Sequence, residues 1–117
     1  MKLRTTELTG AALDWAVAKC ESKDTYCEIH AGNILYGRVT SGFVQFRPST
    51  NWSQGGPIIE REGIDLDPLL NENNKPEHWC AFLGNHDGNG ATPLIAAMRC
   101  YVASKLGEEV EVPDELA

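Results

Sequence analysis

The amino-acid sequence predicts a single small α+β domain, with an antiparallel sheet of about 3–5 strands flanked by an N-terminal and a C-terminal helix. Apolar residues recur at helical spacing near both ends of the chain, and short aromatic and β-branched segments lie between them. The length of 117 residues suits one domain with one core. We expect this domain to cover residues 1–107, followed by an acidic C-terminal tail at 108–117.

The N-terminal half contains the signals for one helix and three strands. The segment TGAALDWAVAKCE predicts the first helix, with Thr9 as its N-cap and the polar turn SKDT after it. Its apolar stripe consists of Leu8, Ala12, Leu13, Ala16, Val17 and Cys20. The segments YCEIHA, NILYGRV and GFVQF predict antiparallel strands, separated by turns at Gly32-Asn33 and Ser41-Gly42.

The C-terminal half is punctuated by proline and glycine. Pro57 is predicted at the first position of a short helix, PIIERE. Residues 63–77 are interpreted as loop, HWCAFLG as a further strand and NHDGNGA as a glycine-rich loop. Thr92 and Pro93 are expected to open the final helix as N-cap and first residue, and Gly107 to end it. We expect the acidic tail to be loose.

The final helix has an unusual distribution of side chains. One side is apolar, and the other carries small residues, Ala96, Cys100 and Ala103, with Arg99 and Lys105 as its ionised residues. A surface helix normally keeps a charged stripe for water. Two explanations remain open: the helix is central in the fold, or its small-residue side contacts another subunit of a homo-oligomer.

Composition and charge argue against several classes of partner. The formal net charge is −7 and the sequence pI is about 4.8, so phosphate backbones and anionic membranes repel the protein. No segment approaches the roughly 20 apolar residues of a membrane span, and the N-terminus lacks a secretion signal. We therefore predict a cytoplasmic protein with neither nucleic-acid nor membrane partners. Its cysteines, at 20, 27, 80 and 100, are expected to be reduced and mostly buried.

Three separated segments carry a resemblance to a known family. LTGAALDWAVAKCE, PSTNWSQGGPIIERE and TPLIAAMRCYVASKLG, in this order, closely resemble the NinX-like proteins of lambdoid phages and related prophages. The resemblance spans most of the chain apart from the residues around 21–45 and 67–90. It implies a small phage accessory protein acting in the cytoplasm of the bacterial host, without implying a particular activity. The family commonly has an acid before the central tryptophan, where this chain has Asn51.

The segment PSTNWSQGGPIIER is the predicted binding site for a small, anionic, nucleotide-like ligand. Two glycines before a helix start permit close backbone approach, and the free N–H groups of a helix start favour an anion. Trp52 offers a flat face on which a base can stack. The candidate ligand-binding residues are Arg47, Ser49, Thr50, Asn51, Trp52, Gln54, Gly55, Gly56, Arg61, Thr92 and Arg99. The alternative is purely structural: Gly-Gly-Pro forms a turn, and Trp52 covers the edge of the core.

A second glycine-rich segment, GNHDGNGATP, offers a similar site at Thr92. Whether the 47–57 and 84–92 segments form one pocket is left open by the sequence. A calcium loop is rejected because its bidentate glutamate position holds Ala96. No metal or cofactor is predicted. Cys80 with His30 as its base lacks any local catalytic motif, so we expect binding rather than catalysis.

The resulting hypothesis is a phage accessory protein that binds a nucleotide-like anion and sequesters a host defence signal, such as a cyclic nucleotide or an ADP-ribose derivative. The alternative is an acidic inhibitor or adaptor that acts on a host protein, with the exposed tryptophan as the interface hot spot.

Overall fold

Helices near both ends of the chain enclose a set of short antiparallel strands. The computed structural model describes residues 1–21, 26–38 and 42–117. In chain order the elements are β1 (Lys2–Arg4), α1 (Gly10–Glu21), β2 (Tyr26–His30), β3 (Asn33–Arg38), β4 (Gly42–Gln45), α2 (Trp52–Glu62), β5 (Asp65–Leu70), β6 (Pro76–Leu83), β7 (His86–Gly90), α3 (Pro93–Leu106) and β8 (Glu109–Glu111). The predicted α+β class is confirmed.

The strands form three separate antiparallel sheets within the described ranges. Their orders are β1-β8, β2-β3-β4 and β5-β6-β7. The predicted hairpin between β2 and β3 exists, but its turn lies at Ala31-Gly32, one residue earlier than predicted. His30 pairs with Asn33, and both turn residues have positive φ, 51° and 79°. The predicted turn SKDT and the predicted turn residue Ser41 lie outside the described residues.

The third sheet, β5-β6-β7, corrects two predictions of loop structure. Residues 65–70 form β5 despite Pro68, which an edge strand tolerates because its outer N–H positions need no partner. The glycine-rich segment forms β7 because α3 passes very close to it. A Cβ on Gly88 would lie 2.6 Å from the Cys100 nitrogen. Glycine at this position therefore serves helix-on-sheet packing rather than loop flexibility.

The start of α2 corrects a third prediction. The helix begins at Trp52, with Asn51 as its N-cap, so Pro57 lies inside the helix rather than at its first position. Asn51 Oδ1 accepts a hydrogen bond from the Ser53 N–H at 2.9 Å, which satisfies an otherwise free donor of the first turn. The two glycines before Pro57 are thus helical. Gly55 is buried where α2 approaches Pro48 and Leu94.

The final helix, α3, is the central element of the fold. It packs against the β5-β6-β7 sheet and against α1 and α2. Its buried residues are Leu94, Ala96, Ala97, Met98, Cys100, Tyr101 and Val102. Its small residues Ala96 and Cys100 face β7 of the same chain, so the first of the two explanations holds. A second subunit is not needed to explain the sequence of α3. Both predicted ends are confirmed, with Thr92 as N-cap and Gly107 as C-cap.

The acidic tail is ordered, against the expectation of a loose segment. Residues 109–111 form β8, which pairs with β1 in the register Leu3↔Val110. Val110 and Val112 are buried in the core. In the described part of the chain, no helix combines the length and the apolar character required to cross a membrane.

Candidate functional site

Two of the segments predicted to bind a ligand meet in one shallow pocket of about 210 Å³. The pocket lies where the N-termini of α2 and α3 come together, and we call it the helix-start pocket. Its lining residues are Ser49, Thr50 and Trp52 from the first segment, Thr92 and Pro93 from the second, and Leu94 and Ile95 from α3. Of the 84–92 segment, Thr92 is the residue that lines this pocket beside Ser49–Trp52, whereas residues 85–89 line a different cleft.

Side-chain amides hold the segment before α2 in place. The Arg47 carbonyl accepts hydrogen bonds from the N–H groups of Thr50 and Asn51 at 3.1 and 2.8 Å, which closes a tight turn. Gln54 Oε1 accepts from the Arg47 N–H at 2.6 Å, and Gln54 Nε2 donates to the Gln45 carbonyl at 2.8 Å. The Asn51 and Gln54 amides, predicted as ligand contacts, are therefore engaged in shaping the turn.

The beginning of α3 forms the opposite wall of the helix-start pocket. Thr92 Oγ1 accepts from the Ile95 N–H at 3.2 Å, and the Thr92 carbonyl accepts from the Ala96 N–H at 3.1 Å. Among the described residues, the N–H groups of Trp52 and Leu94 have no internal partner. Free donors of this kind, together with the positive end of the helix dipole, favour a negative group.

Asp14, which the sequence analysis did not predict, holds in place a residue that lines the helix-start pocket. It lies buried in α1, and its Oδ1 accepts a hydrogen bond from the Ser49 N–H at 2.9 Å. Burial raises the pKa of Asp14 above its ordinary value, while contacts with Ser49 and the charge of Arg47 oppose the rise. The sequence feature that could have identified Asp14 is an acidic residue within the otherwise apolar segment AALDWAVA. The Ser49 Oγ atom is buried without a hydrogen-bond partner among the described residues.

Trp52 is the first residue of α2, and 55% of its surface is exposed. A Cβ added to Gly56 would lie 3.9 Å from Trp52 Cε3, so the ring lies alongside this glycine. More than half of the tryptophan is thus in solvent beside the helix-start pocket. The ring therefore lies partly against α2 and partly in solvent.

Three other candidate residues have structural partners outside the helix-start pocket. Gly55 is buried, and a Cβ there would lie 2.5 Å from the Pro48 carbonyl oxygen. Arg61 donates to the Glu21 carboxylate at 3.0 Å and to the Tyr101 hydroxyl at 3.2 Å. Arg99 donates to the Leu8 and Asn89 carbonyls, both at 2.8 Å. Arg47, which is exposed at the start of the turn, is the candidate arginine nearest in sequence to the pocket.

The residues considered for nucleophilic catalysis lie in different sheets. The Cys80 thiol on β6 donates to Asn89 Oδ1 at 3.1 Å, whereas His30 on β2 contacts the Glu28 carboxylate at 3.1 Å.

Burial raises the pKa of the Cys20 thiol to about 12 and that of Cys100 to about 11. Cys20, Cys80 and Cys100 are free thiols. Over residues 1–21, 26–38 and 42–117, no group of three or more acidic, histidine or cysteine side chains is placed to hold a metal ion.

A larger cleft of about 700 Å³ lies farther along α3, where Arg99 and Ala103 line it, and was not predicted. We call it the β7 cleft. Its lining residues are Arg4, Thr5, Thr6, His78, Asn85, His86, Asp87, Gly88, Asn89, Arg99, Ala103, Glu108 and Glu109. Because these residues come from both ends of the chain and from three separate elements between them, local sequence patterns do not reveal the cleft.

The fold and the helix-start pocket together define a small α+β protein in which two helix N-termini frame one shallow pocket. The family model described as "Bacteriophage P22, NinX" matches residues 4–105, and the chain therefore belongs to this phage family. The resemblance seen in the three sequence segments is confirmed. Among curated proteins, no significant match to the chain is found.

Asn51, at the position where the resemblance implied an acid, is the N-cap of α2. Asparagine and aspartate are about equally effective N-caps, since both offer a side-chain oxygen to the first turn. Capping thus needs no charge at this position.

Proposed function

We propose that this phage protein binds a small, anionic, nucleotide-like ligand in the helix-start pocket and holds it without chemical conversion. In the cytoplasm of an infected bacterium, such binding would sequester a host signal. The observation that carries the proposal is the convergence of the α2 and α3 N-termini beside the exposed ring of Trp52.

The attraction of an anion to the helix-start pocket is a local effect. Each helix N-terminus acts as roughly half a positive charge, and its effect is confined to the first turn. The Trp52 and Leu94 N–H groups and the Thr50 hydroxyl supply hydrogen-bond donors at the same place. A single phosphate can therefore be bound here although the whole protein carries a net charge of −7.

The tryptophan supplies the contact that favours a nucleotide over a simple anion. Base stacking on an aromatic ring contributes about 1–3 kcal/mol. A pocket of about 210 Å³ is smaller than an ordinary drug-sized site, so the phosphate fills it and the base lies over Trp52 at its rim. A ligand with one phosphate near one exposed base fits this arrangement best.

The first experiment is thermal unfolding with a panel of nucleotides, cyclic dinucleotides and ADP-ribose derivatives. A ligand at one hundred times its Kd stabilises the native state by about 2.7 kcal/mol. For a chain of this size, that corresponds to a Tm increase of roughly ten degrees. Trp52→Ala is expected to abolish the increase while leaving the Tm of the free protein close to that of the wild type, because the side chain is mostly exposed.

A matched pair of variants tests the charge of the site without disturbing the helix. Asn51→Asp and Asn51→Ser both keep an N-cap oxygen, but the aspartate adds a negative charge at the helix start. We expect the aspartate variant to bind an anionic ligand several-fold more weakly than the serine variant. Equal binding by both variants, or a ligand shift that survives Trp52→Ala, would place the ligand elsewhere.

A second candidate function is favoured by the same exposed tryptophan. On an acidic protein, Trp52 is a suitable hot spot for a basic host protein, which the chain would inhibit or recruit. This alternative predicts no Tm change with any small molecule, and binding to a host protein that weakens steeply with salt and is lost in Trp52→Ala.

A further inference from the structure

The β7 cleft is a second concave site, independent of the helix-start pocket. Its volume of about 700 Å³ falls within the range of small-molecule sites, roughly 300–1,000 Å³. The two sites share no lining residue. The cleft lies between the β6–β7 hairpin on one side and the β1–β8 pair on the other, with α3 contributing Arg99 and Ala103.

Arg99 provides a fixed positive group in the β7 cleft. Its Nε donates to the Leu8 carbonyl and its Nη1 to the Asn89 carbonyl, both at 2.8 Å. Within the described ranges, no carboxylate lies at ion-pair distance from this half-buried guanidinium. The remaining guanidinium hydrogens are free to bind a ligand, and the two backbone contacts orient the planar group in advance.

Arg4 adds a second positive charge to the same cleft. It stands opposite Glu109 in the register of β1 and β8, yet the closest ion pair of Glu109 is with Lys2, at 3.9 Å. In the part of the chain that the structure describes, Arg4 therefore has no ion-pair partner. It is exposed in the cleft lining, where a negatively charged group of a ligand can serve as its ion-pair partner.

Acidic groups line the β7 cleft as well. Asp87 on β7 and Glu108 before β8 are exposed in it, and neither forms an ion pair with a described residue. Glu109 also lines the cleft, and it pairs with Lys2 at 3.9 Å. A simple anion such as phosphate is attracted by the arginines but repelled by these carboxylates. A simple cation is attracted by the carboxylates but repelled by the arginines. A molecule that carries both charges satisfies all four side chains.

We propose that the β7 cleft binds a small zwitterion, a free α-amino acid or a short peptide, with its carboxylate on Arg99 and Arg4 and its ammonium group near Asp87 and Glu108. The bidentate geometry of a guanidinium matches a carboxylate, which fixes one end of the ligand. The size of the cleft favours a dipeptide over a single amino acid.

Titrations of the full chain, followed by amide resonances in two-dimensional NMR, test this proposal. The probes are alanine, the alanylalanine dipeptide, the N-acetylated dipeptide, the C-amidated dipeptide and inorganic phosphate. We expect the unmodified dipeptide to shift the resonances of Asp87, Asn89 and Glu108, and to bind about tenfold more tightly than either blocked form. Comparison of alanine with the dipeptide shows whether the cleft prefers a free amino acid or a short peptide.

Variants identify the charges that matter. Arg4→Gln and Glu108→Gln remove charges without breaking a side-chain hydrogen bond of the fold, and each is expected to weaken dipeptide binding about fivefold or more. Lys75→Gln, at an exposed lysine just before β6 and outside the cleft lining, is the control and should leave binding unchanged. The proposal is overturned if the dipeptide shifts no cleft resonance at millimolar concentration, if the N-acetylated form binds equally well, or if Lys75→Gln acts like Arg4→Gln. Trp52→Ala should leave dipeptide binding intact, so the outcome is independent of the helix-start pocket.

Discussion

At the scale of single residues, adjacent glycines in α2 have different surroundings. Gly55 is buried against Pro48 and Leu94, and a Cβ there would lie 2.6 Å from Leu94 Cδ2. The nearest atom to a Cβ on Gly56 is Trp52 Cε3, at 3.9 Å. The first glycine is required by packing, whereas the second leaves room for a methyl group. Packing therefore explains Gly55 without a ligand, and no contact of the described residues requires glycine at position 56.

This contrast gives a matched pair of stability predictions. Gly55→Ala should lower the free energy of unfolding by about 1–3 kcal/mol, because the added methyl group overpacks the contact with Pro48 and Leu94. Gly56→Ala should raise it by about 0.5–1 kcal/mol, since alanine favours a helix more than glycine does. Urea unfolding measures both changes. Equal stability of the two variants would contradict the described approach of α2 to its neighbours.

Asp14 leads to a prediction about pH. Burial raises its pKa in the folded protein, so the folded state binds this proton more tightly than the unfolded state does. The contribution of Asp14 to stability is therefore most favourable below the unfolded pKa. It becomes less favourable as the pH rises from near 4, about the ordinary pKa of aspartate, through the higher folded pKa.

Asp14→Asn should remove this part of the pH dependence while keeping an oxygen that accepts the Ser49 N–H. Urea unfolding at several pH values should show wild-type stability falling relative to the Asn variant as the pH rises. Asp14→Ala, which loses the hydrogen bond, should be less stable than Asp14→Asn by about 1–3 kcal/mol at every pH, because neither variant titrates at this position. A constant difference between wild type and Asp14→Asn would show that Asp14 has the same pKa in both states.

At the scale of elements, the β1–β8 pair ties the acidic tail to the start of the chain. The Thr5 N–H donates to the Glu108 carbonyl at 2.8 Å, and Thr5 Oγ1 donates to the Gly107 carbonyl at 2.6 Å. Val110 and Val112 place their side chains in the core. The charged residues of β8 face solvent, which is why composition alone suggested a loose tail.

Substitutions in β8 and at the residue just after it should distinguish its buried side chains from its exposed ones. Val110→Ala and Val112→Ala should each lower the free energy of unfolding by about 1–3 kcal/mol, because each removes buried methyl groups. Glu109→Ala, on the exposed face, is expected to change it by no more than about 0.5 kcal/mol. Urea titrations of the three variants provide the measurement. Valine variants as stable as the wild type would mean that the tail does not pack on the core.

At the scale of the whole molecule, the buried Cys100 thiol and the half-buried Cys20 thiol report on global opening. Cys20 lies near the end of α1 and Cys100 lies in the middle of α3. Their raised pKa values, about 12 and about 11, keep them protonated at neutral pH. The thiolate is the reactive form of cysteine, so both residues should react slowly as long as the fold persists.

Alkylation by iodoacetamide at pH 8 tests this expectation. In the native protein, Cys20 and Cys100 should react about a hundredfold more slowly than in urea, since both the thiolate population and access are reduced. Mass spectrometry of peptides assigns each site, and the half-buried Cys80 on β6 provides the internal comparison. Labelling of native Cys100 as rapid as that of Cys80 would indicate that α3 separates readily from β7.

The sequence by itself determined those features that depend on local signals. The ends of α3 follow from Thr92, Pro93 and Gly107, because capping and proline geometry act within one helical turn. The β2–β3 hairpin and the α+β class follow from short-range alternation and turn residues. Family membership follows in the same way, from three conspicuous segments of the chain.

The candidate site was predicted in part. Ser49, Thr50, Trp52 and Thr92 meet in the helix-start pocket, but their proximity depends on the packing of α2 against α3. Asn51, Gln54, Gly55 and Arg61 instead make internal contacts, which the types of these residues do not distinguish from ligand contacts. Arg99 also makes internal contacts, but it lines the β7 cleft rather than the helix-start pocket.

Tertiary structure alone decided the remaining features, each through contacts distant in sequence. The glycines of β7 belong to a strand because the α3 backbone lies against them, and a local pattern contains no information about that neighbour. The sequence predicted a helix start at Pro57, whereas α2 begins at Trp52, and the packing at Gly55 is compatible with this earlier start. The β7 cleft exists because β8 returns to pair with β1, which brings the two ends of the chain to either side of one ligand-sized space.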